Sequence, residues 1–477
     1  MESDVIIIGG GIIGCSLARE LSRYNINVEL LEKENDIAWG ISKANSGIIH
    51  AGYNEKIGSL KGKFDIEGNK MFDKLAKELD FTFIRNGALI LGFNEEDINT
   101  LKKLKDNGDA LGIEGLELLS KDQIKEIEPN ISIYVEGALH AKTSGIVNPY
   151  EVTIAFAENA CKNGVNFHFN SEVVDIKEND AGYKIHLKNG EIIEGKIVIN
   201  AAGINSDRIN NMINEKKYEH IPVKGEYLVF DKIAGKLVNH TLFQVPTKIS
   251  KGVLVTPTVD GNLLIGPTAN RVDCKECVET DKKTIAVILE RATKSIPEIP
   301  LGRTLNTFAG LRPHLEDGDF IIEEAGNNKN FISLVGIESP GFTAAPAIAK
   351  YIANLVSKKI PMELKSNFDP YRKRIIRFID LTVEEKNKLI AQNPAYGKII
   401  CKCELVTEGE IIDAIRRPLG ATTIDGVKQR TRATQGGCQG VGCQLPISKI
   451  LSKELNINIS DIKKNVDGST VIGIKED

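Results

Sequence analysis

The chain reads as an α/β protein built in three parts, and three features of its 477 residues carry that reading. Residues 4–32 run as a short β-branched strand, a glycine-rich turn, a helical stretch and a second strand, the order of a βαβ unit. Strands and turns alternate through about 225–270 without that helical punctuation. Near the far end, cysteines stand in two close pairs among glycines. A chain of this length exceeds the ~250–300 residues at which single cores stop growing, so two or three domains are expected.

The charge balance narrows the function classes. Sixty-one basic residues against 65 acidic ones leave a net charge of −4, and the pI near 6.1 offers no electrostatic footprint for nucleic acid or an anionic membrane. Met1-Glu2-Ser3-Asp4 lacks the basic region of a secretory signal, and the first apolar run belongs to a strand and turn. No segment has the apolar length to span a bilayer: the stretch from Leu334 to Val356 is interrupted by Glu338, Pro340, Pro346 and Lys350. A soluble, cytoplasmic protein is expected. In that setting eight cysteines suggest metal or redox chemistry before a disulfide framework.

The N-terminal unit carries the first chemistry. Gly9-Gly10-Gly11-Ile12-Ile13-Gly14 has the G-x-G-x-x-G spacing of a dinucleotide-binding turn. Gly9 permits the tight turn, Gly11 lets a pyrophosphate approach the backbone, and Gly14 lets helix and strand pack closely. The helix that follows offers free N–H groups and the positive end of its dipole to the phosphates. Glu32, 18 residues beyond Gly14 at the end of the second strand, is placed to accept ribose hydroxyls. The motif alone leaves FAD and NAD open.

The next segment, Ala44-Asn45-Ser46-Gly47-Ile48-Ile49-His50-Ala51-Gly52, is small and suited to lie against a flat ring. Together with Lys33, Gly40, Ser42 and Lys43 it resembles the stretch that wraps the flavin in FAD oxidoreductases of the D-amino-acid oxidase superfamily. Ile197 to Gly203 resembles the second FAD-contacting strand, with Ala202 and Gly203 at its end, and Val173 resembles the position whose backbone meets the adenine. Ile332 to Gly336 and Glu338 to Pro346 resemble the last FAD strand and a helix aimed at the flavin, bringing in Gly336, Ser339, Gly341, Phe342 and Thr343. The N–H groups at the start of that helix would favour negative charge on the reduced ring.

Within the superfamily, the phrases ANSGIIHAG, SKGVLVTP, AGLRP and ESPGFTAAPAI are most similar to glycerol-3-phosphate oxidases and dehydrogenases, and L-2-hydroxyglutarate dehydrogenases share the first of them. The resemblance covers about residues 1–365. It implies a Rossmann-like FAD-binding domain assembled from about 1–79, 147–220 and 326–365, and a β-rich substrate domain from about 80–146 and 221–325. A charged linker at 366–395 and a small helical domain at 396–477 follow.

Oxidising a secondary alcohol moves a hydride from carbon to flavin N5 while the hydroxyl proton leaves, so a base is needed beside the ring. His50 matches the family's base and titrates in the right range. A small anionic hydroxy substrate also needs fixed cations. Arg312 in Gly310-Leu311-Arg312-Pro313 matches the family's anion-binding arginine, whose planar fork holds two oxygens at once. Lys251 matches a second cation, and Ser46 and Ser339 add contacts near the ring. His314, beside Pro313, reads as structural.

Beyond the flavin unit, Cys401-Lys402-Cys403 and, 34 residues later, Cys438 to Cys443 form a C-x-C and a C-x4-C pair. Four thiolates on two short loops suit a [2Fe–2S] cluster, and glycines at 436, 437, 440 and 442 let loop amides turn toward the sulfurs. Four-cysteine zinc is the structural rival. The phrase GGCQGVGC resembles the cluster domain of bacterioferritin-associated ferredoxin type, which also ends the large subunit of anaerobic glycerol-3-phosphate dehydrogenases. A one-electron centre gives a flavin's two electrons a way out. The reading is therefore a dehydrogenase passing electrons to a protein subunit or a quinone, with room for peripheral membrane association through a partner. An L-2-hydroxy acid dehydrogenase and a non-catalytic electron-transfer subunit are the alternatives; His50 and Arg312 weigh against the latter. Cys274-Lys275-Glu276-Cys277 reads as a surface loop, and Cys15 and Cys161 as helix core.

Overall fold

A computed structural model describes residues 3–246, 252–326 and 329–471. The strand Ser3–Ile8 lies parallel between Val28–Leu31 and Ile192–Asn200. Its apolar run is buried on both faces, as a central parallel strand requires: Val5 and Ile7 join the core beneath the helices, while Ile6 and Ile8 join a second core against the hairpin Val173–Asn179/Gly182–Leu187. Asn166–His168 extends the sheet beyond Val28–Leu31. The far edge of Ile192–Asn200 is shared, its start pairing antiparallel with Gly182–Leu187 and its end pairing parallel with Phe331–Val335. The helices Ile12–Leu21, Pro149–Lys162 and Gly341–Val356 pack on the Val5/Ile7 face.

A second sheet of nine strands is built from two distant pieces of chain. Ile221–Phe230 pairs along its length with Thr304–His314, placing Val223 opposite Arg312 and Tyr227 opposite Phe308. Beyond them run Leu263–Gly266, Leu254–Pro257 and Thr241–Gln244, and the last of these pairs parallel with Ala88–Gly92, which brings in Gly137–Ala141 and Leu116–Ser120. The helix Lys282–Ser295 covers the Leu228/Leu263/Ile265 core of this sheet. Gly310 presses on the backbone of Ala44, so close that a Cβ would lie 2.1 Å from its carbonyl oxygen. The nine-stranded sheet and the nucleotide-side turn therefore share one wall.

The C-terminal region folds around Ile411, Ile424, Val427, Ile447 and Leu451, from the helices Glu408–Arg416, Ile424–Thr431 and Gln444–Leu455. It is held to the rest by charges sunk in the joint. Arg430 grips both oxygens of Asp36 at 2.7 and 2.8 Å, Arg432 meets Asp260 at 2.7 Å, and Arg417 meets Glu158 at 3.0 Å. The stretch expected as a linker is itself pinned: Arg372 joins Arg417 on Glu158, and Val383–Gln392 is helical behind a Thr382/Glu385 capping box.

The loop before Lys282–Ser295 closes on itself through a Cys274–Cys277 disulfide, a cross-link that the loop reading did not include. It presents Lys275 to the Asp207 carboxylate at 2.6 Å. Among the described residues no helix is long and apolar enough to cross a membrane.

Candidate active site

The carboxyl ends of the parallel strands open onto a cavity of about 930 Å³ between the two sheets. At one end lies the glycine-rich turn. Gly9 has φ +113°, and a Cβ there would meet Ala201 O at 2.5 Å; a Cβ on Gly14 would meet Gly9 O at 1.9 Å. These two glycines let the strand, turn and helix close on one another. Gly11, Ile12 and Ile13 line the cavity, so the start of the first helix faces the space. That helix has no acid in its first turn, and Ser42 Oγ accepts from Ile12 N at 2.9 Å. Glu32 is buried and receives hydrogen bonds from Gly10 N at 2.6 Å and Glu34 N at 2.9 Å. Burial pushes its carboxyl up, against those two bonds.

Ser42, Ala44, Asn45, Ser46 and His50 carry the wall onward, and Gly203, Ser339, Gly341 and Phe342 face them. The helix Gly341–Val356 also begins without an acid, so a second N-terminus opens onto the same space. His50 is fixed at its backbone: its N–H donates to Thr343 Oγ1 at 3.0 Å and its carbonyl accepts from Asn69 at 2.7 Å. Its ring lies against Phe243, centroids 6.2 Å apart. Glu55 and Asp65 line a small adjoining cavity together with it.

Arg312 enters from the nine-stranded sheet. Its Nη1 donates to Thr268 O at 3.2 Å, and Gly225 leaves it room, since a Cβ there would stand 2.8 Å from Nη2. Burial raises the pKa of Tyr227, beside Arg312, and Tyr227 stacks on Phe308 with centroids 4.7 Å apart. The wall behind the arginine is thus rigid and aromatic.

Other residues singled out from the sequence do not line the cavity. Gly47 and Gly336 hold positive φ against close neighbours, and Thr343 is fully buried on the backbone of His50 and Ile48. Ala202 donates to Asn200 Oδ1, Lys33 is an exposed partner of Glu34, and the Val173 carbonyl accepts from Arg208. Lys251 lies outside the described residues.

Sequence reading missed one cluster in the cavity wall. His314 Nδ1 lies 3.0 Å from Glu338 Oε1, which also takes Lys61 Nζ at 2.9 Å, and all three residues line the cavity. Burial alone would raise the Glu338 carboxyl, but His314 and Lys61 hold it down to about 2. Lys61 and Glu338 are 277 positions apart, so no local pattern joins them.

In the C-terminal region the four cysteines come together two by two. Hydrogen bonding links Cys401 with Cys443 and Cys403 with Cys438, and the Cys443 contact lowers the Cys401 thiol. Cys438 is lowered first by the Gly442 backbone N–H, then by Cys403 and the Gly440 N–H, so the glycine-rich loop turns its amides onto sulfur. Among the described residues no three metal-ligating side chains close around one point.

A turn and two helix N-termini around one cavity suit a dinucleotide carrying a reducible ring, and the thiol pairs suit a cluster. The chain belongs to the FAD dependent oxidoreductase family, whose model matches residues 4–355, and it carries a BFD-like [2Fe-2S] binding domain at 399–453. Its cofactors are therefore FAD and a [2Fe–2S] cluster. It is 49% identical over 472 residues to a glycerol 3-phosphate dehydrogenase of Caloramator mitchellensis, covering 98% of each chain. A glycerol 3-phosphate oxidase of Mycoplasma pneumoniae is 34% identical over 75% of this chain and 95% of its own. The structure of the dithionite-reduced L-alpha-glycerophosphate oxidase from that organism, with FAD bound, superposes with a TM-score of 0.74 at 33% identity, covering 78% of this chain and 98% of that one.

Proposed function

We propose that the protein oxidises sn-glycerol 3-phosphate to dihydroxyacetone phosphate and passes the electrons through its C-terminal cluster to a protein or quinone acceptor in the cytoplasm. The observation that carries this reading is the convergence of His50 and Arg312 on the cavity that also receives the two helix N-termini. FAD, when bound, supplies the two-electron acceptor, and the cluster supplies the one-electron outlet. Gly11, Ile12, Ile13 and Ser42 would hold the FAD phosphates, and Glu32, at the end of the second strand, would meet the ribose. Ala44, Asn45, Ser46, Gly341 and Phe342 would border the ring.

The chain's own chemistry is proton and anion handling. Arg312, fixed by Thr268 O, takes two phosphate oxygens through its planar fork and so sets which way the alcohol carbon points. His50 accepts the hydroxyl proton as the C–H bond breaks, its position fixed by Thr343 and Asn69. Lys61 and Glu338, paired with His314, border the same space as a second charged wall. The test is anaerobic mixing of the FAD-loaded protein with glycerol 3-phosphate or L-2-hydroxyglutarate. Rapid bleaching of the flavin by the phosphate ester is expected. Faster bleaching by the hydroxy acid would assign Arg312 to a carboxylate and overturn the substrate.

A further inference from the structure

A second cavity, of about 310 Å³, lies between the nucleotide-side turn and the cysteine-bearing region. Ala44, Asn45 and Ser46 line it as well as the larger cavity, so the two spaces share the turn as a wall. Its other walls come from all three parts of the molecule: Trp39 and Lys43, Tyr150, Phe308, and Lys428 with Gln429.

The walls have a definite chemistry. Trp39, Tyr150 and Phe308 offer flat aromatic surface, and Phe308 is braced by its stack on Tyr227. Two polar atoms are left without hydrogen-bond partners although buried: Trp39 Nε1, a donor, and Gln429 Oε1, an acceptor on a residue only 7% exposed. Buried polar groups are seldom left so, which marks the space as one made to be filled.

The charges do not balance within it. Asp260 is matched by Arg432 at 2.7 Å and Arg377 at 3.3 Å, and Asp425 by Lys464 at 3.2 Å and Lys428 at 3.9 Å. Lys43 instead has its ammonium over the Trp39 ring, 3.4 Å from the centroid. Burial pushes Lys43 down to about 8 and lowers Lys428 too, the cost of taking an ammonium out of water.

We propose that this cavity is a second ligand site, separate from the flavin cavity, for a planar aromatic molecule bearing an acidic group. The ring lies against Trp39 and Phe308, the acidic group is held by Lys43 and Lys428, and Gln429 Oε1 accepts from a ring N–H or O–H. The inference rests on the cavity's own lining and stands whether or not glycerol 3-phosphate is the substrate.

Trp39 is the one tryptophan of the chain, so its emission reports on the site directly. FAD-loaded protein is titrated with anthraquinone-2-sulfonate and with 2-(hydroxymethyl)anthraquinone, the same ring without the charge. Saturable quenching is expected, at least about tenfold tighter for the sulfonate, with no release of FAD. Compared at matched FAD content, Lys428→Met should weaken sulfonate binding about tenfold, and Gln429→Leu should weaken binding of the hydroxymethyl compound, whose O–H the amide oxygen accepts, about tenfold, the usual order for losing one hydrogen bond to a charged group or one buried polar contact. The lysine is part-exposed at the joint, so its variant keeps the test valid if the buried glutamine proves necessary for folding. Equal affinity for the two ring compounds, quenching that tracks FAD release, or sulfonate binding unchanged in a folded Lys428→Met protein would overturn the proposal.

Discussion

Replacing Asp36 by Asn should loosen the C-terminal region from the body of the molecule. The Arg430 guanidinium is 1% exposed and Asp36 5%, and the two meet through two short bonds; Arg430 also donates to Leu419 O at 2.6 Å and Gly426 O at 3.1 Å. Those carbonyls keep the cation where it is when the carboxylate charge is removed, leaving it buried without a counter-ion. Breaking a buried pair in this way costs about 3–5 kcal/mol, which is roughly 10²–10⁴-fold in the ratio of docked to undocked forms. Lys105–Asp109 serves as the control, since its side chains are 31% and 50% exposed and Asp109→Asn should cost no more than ~1 kcal/mol. Amide exchange in the helix Ile424–Thr431, read by mass spectrometry on cofactor-loaded protein, measures the opening. Exchange in the Asp36→Asn protein no faster than in the Asp109→Asn protein would refute the reasoning. Replacing both partners by Leu should recover much of the loss, because a buried pair and a packed apolar pair are often close in free energy.

His50→Asn should keep FAD bound and slow flavin reduction by substrate about 10²–10⁴-fold, the usual cost of a lost general base; near-normal rates in a stopped-flow trace would remove His50 from the chemistry. Arg312→Ala should weaken use of glycerol 3-phosphate far more than use of glycerol, and equal effects on both, measured as kcat/KM with a dye acceptor, would mean that the arginine does not meet the phosphate. Glu338, held down to about 2 from an ordinary value near 4.5, contributes stability that is complete above pH 4.5 and fades as pH falls toward 2. The displacement corresponds to about 3 kcal/mol. Glu338→Gln should therefore flatten the acid side of the melting profile between pH 5 and 3, and an unchanged slope would place the acid sensitivity elsewhere.

What the sequence made legible was local or carried by resemblance. The βαβ unit fits within residues 3–31 of the described strands and helix, so its periodicities and glycine spacing could be read directly. The two cysteine pairs announced themselves by spacing, and the matching family descriptions agree with FAD and a [2Fe–2S] cluster. His50 and Arg312 rested on resemblance, and the structure brings both to one cavity. Long-range partnerships were not legible. Lys61 with Glu338, Asp36 with Arg430, and the parallel pairing of Ala88–Gly92 with Thr241–Gln244 join segments about 150 to 400 positions apart, and pattern within a window carries no information about them. Cys274 and Cys277 show the converse: the spacing was visible, but only the loop's conformation brings the sulfurs into a bond.

The central claim, that substrate electrons enter at the flavin and leave through the C-terminal cysteines, is tested most directly by one anaerobic experiment on the cofactor-loaded protein. Glycerol 3-phosphate is added and two signals are followed together: flavin absorbance, and the paramagnetic resonance of the reduced cluster. The account predicts that the flavin bleaches and the cluster signal then rises, and that in Cys438→Ser protein bleaching persists while the cluster signal is lost. A flavin that bleaches while an intact cluster stays oxidised, or stoichiometric zinc in place of iron and sulfide at Cys401, Cys403, Cys438 and Cys443, would contradict it.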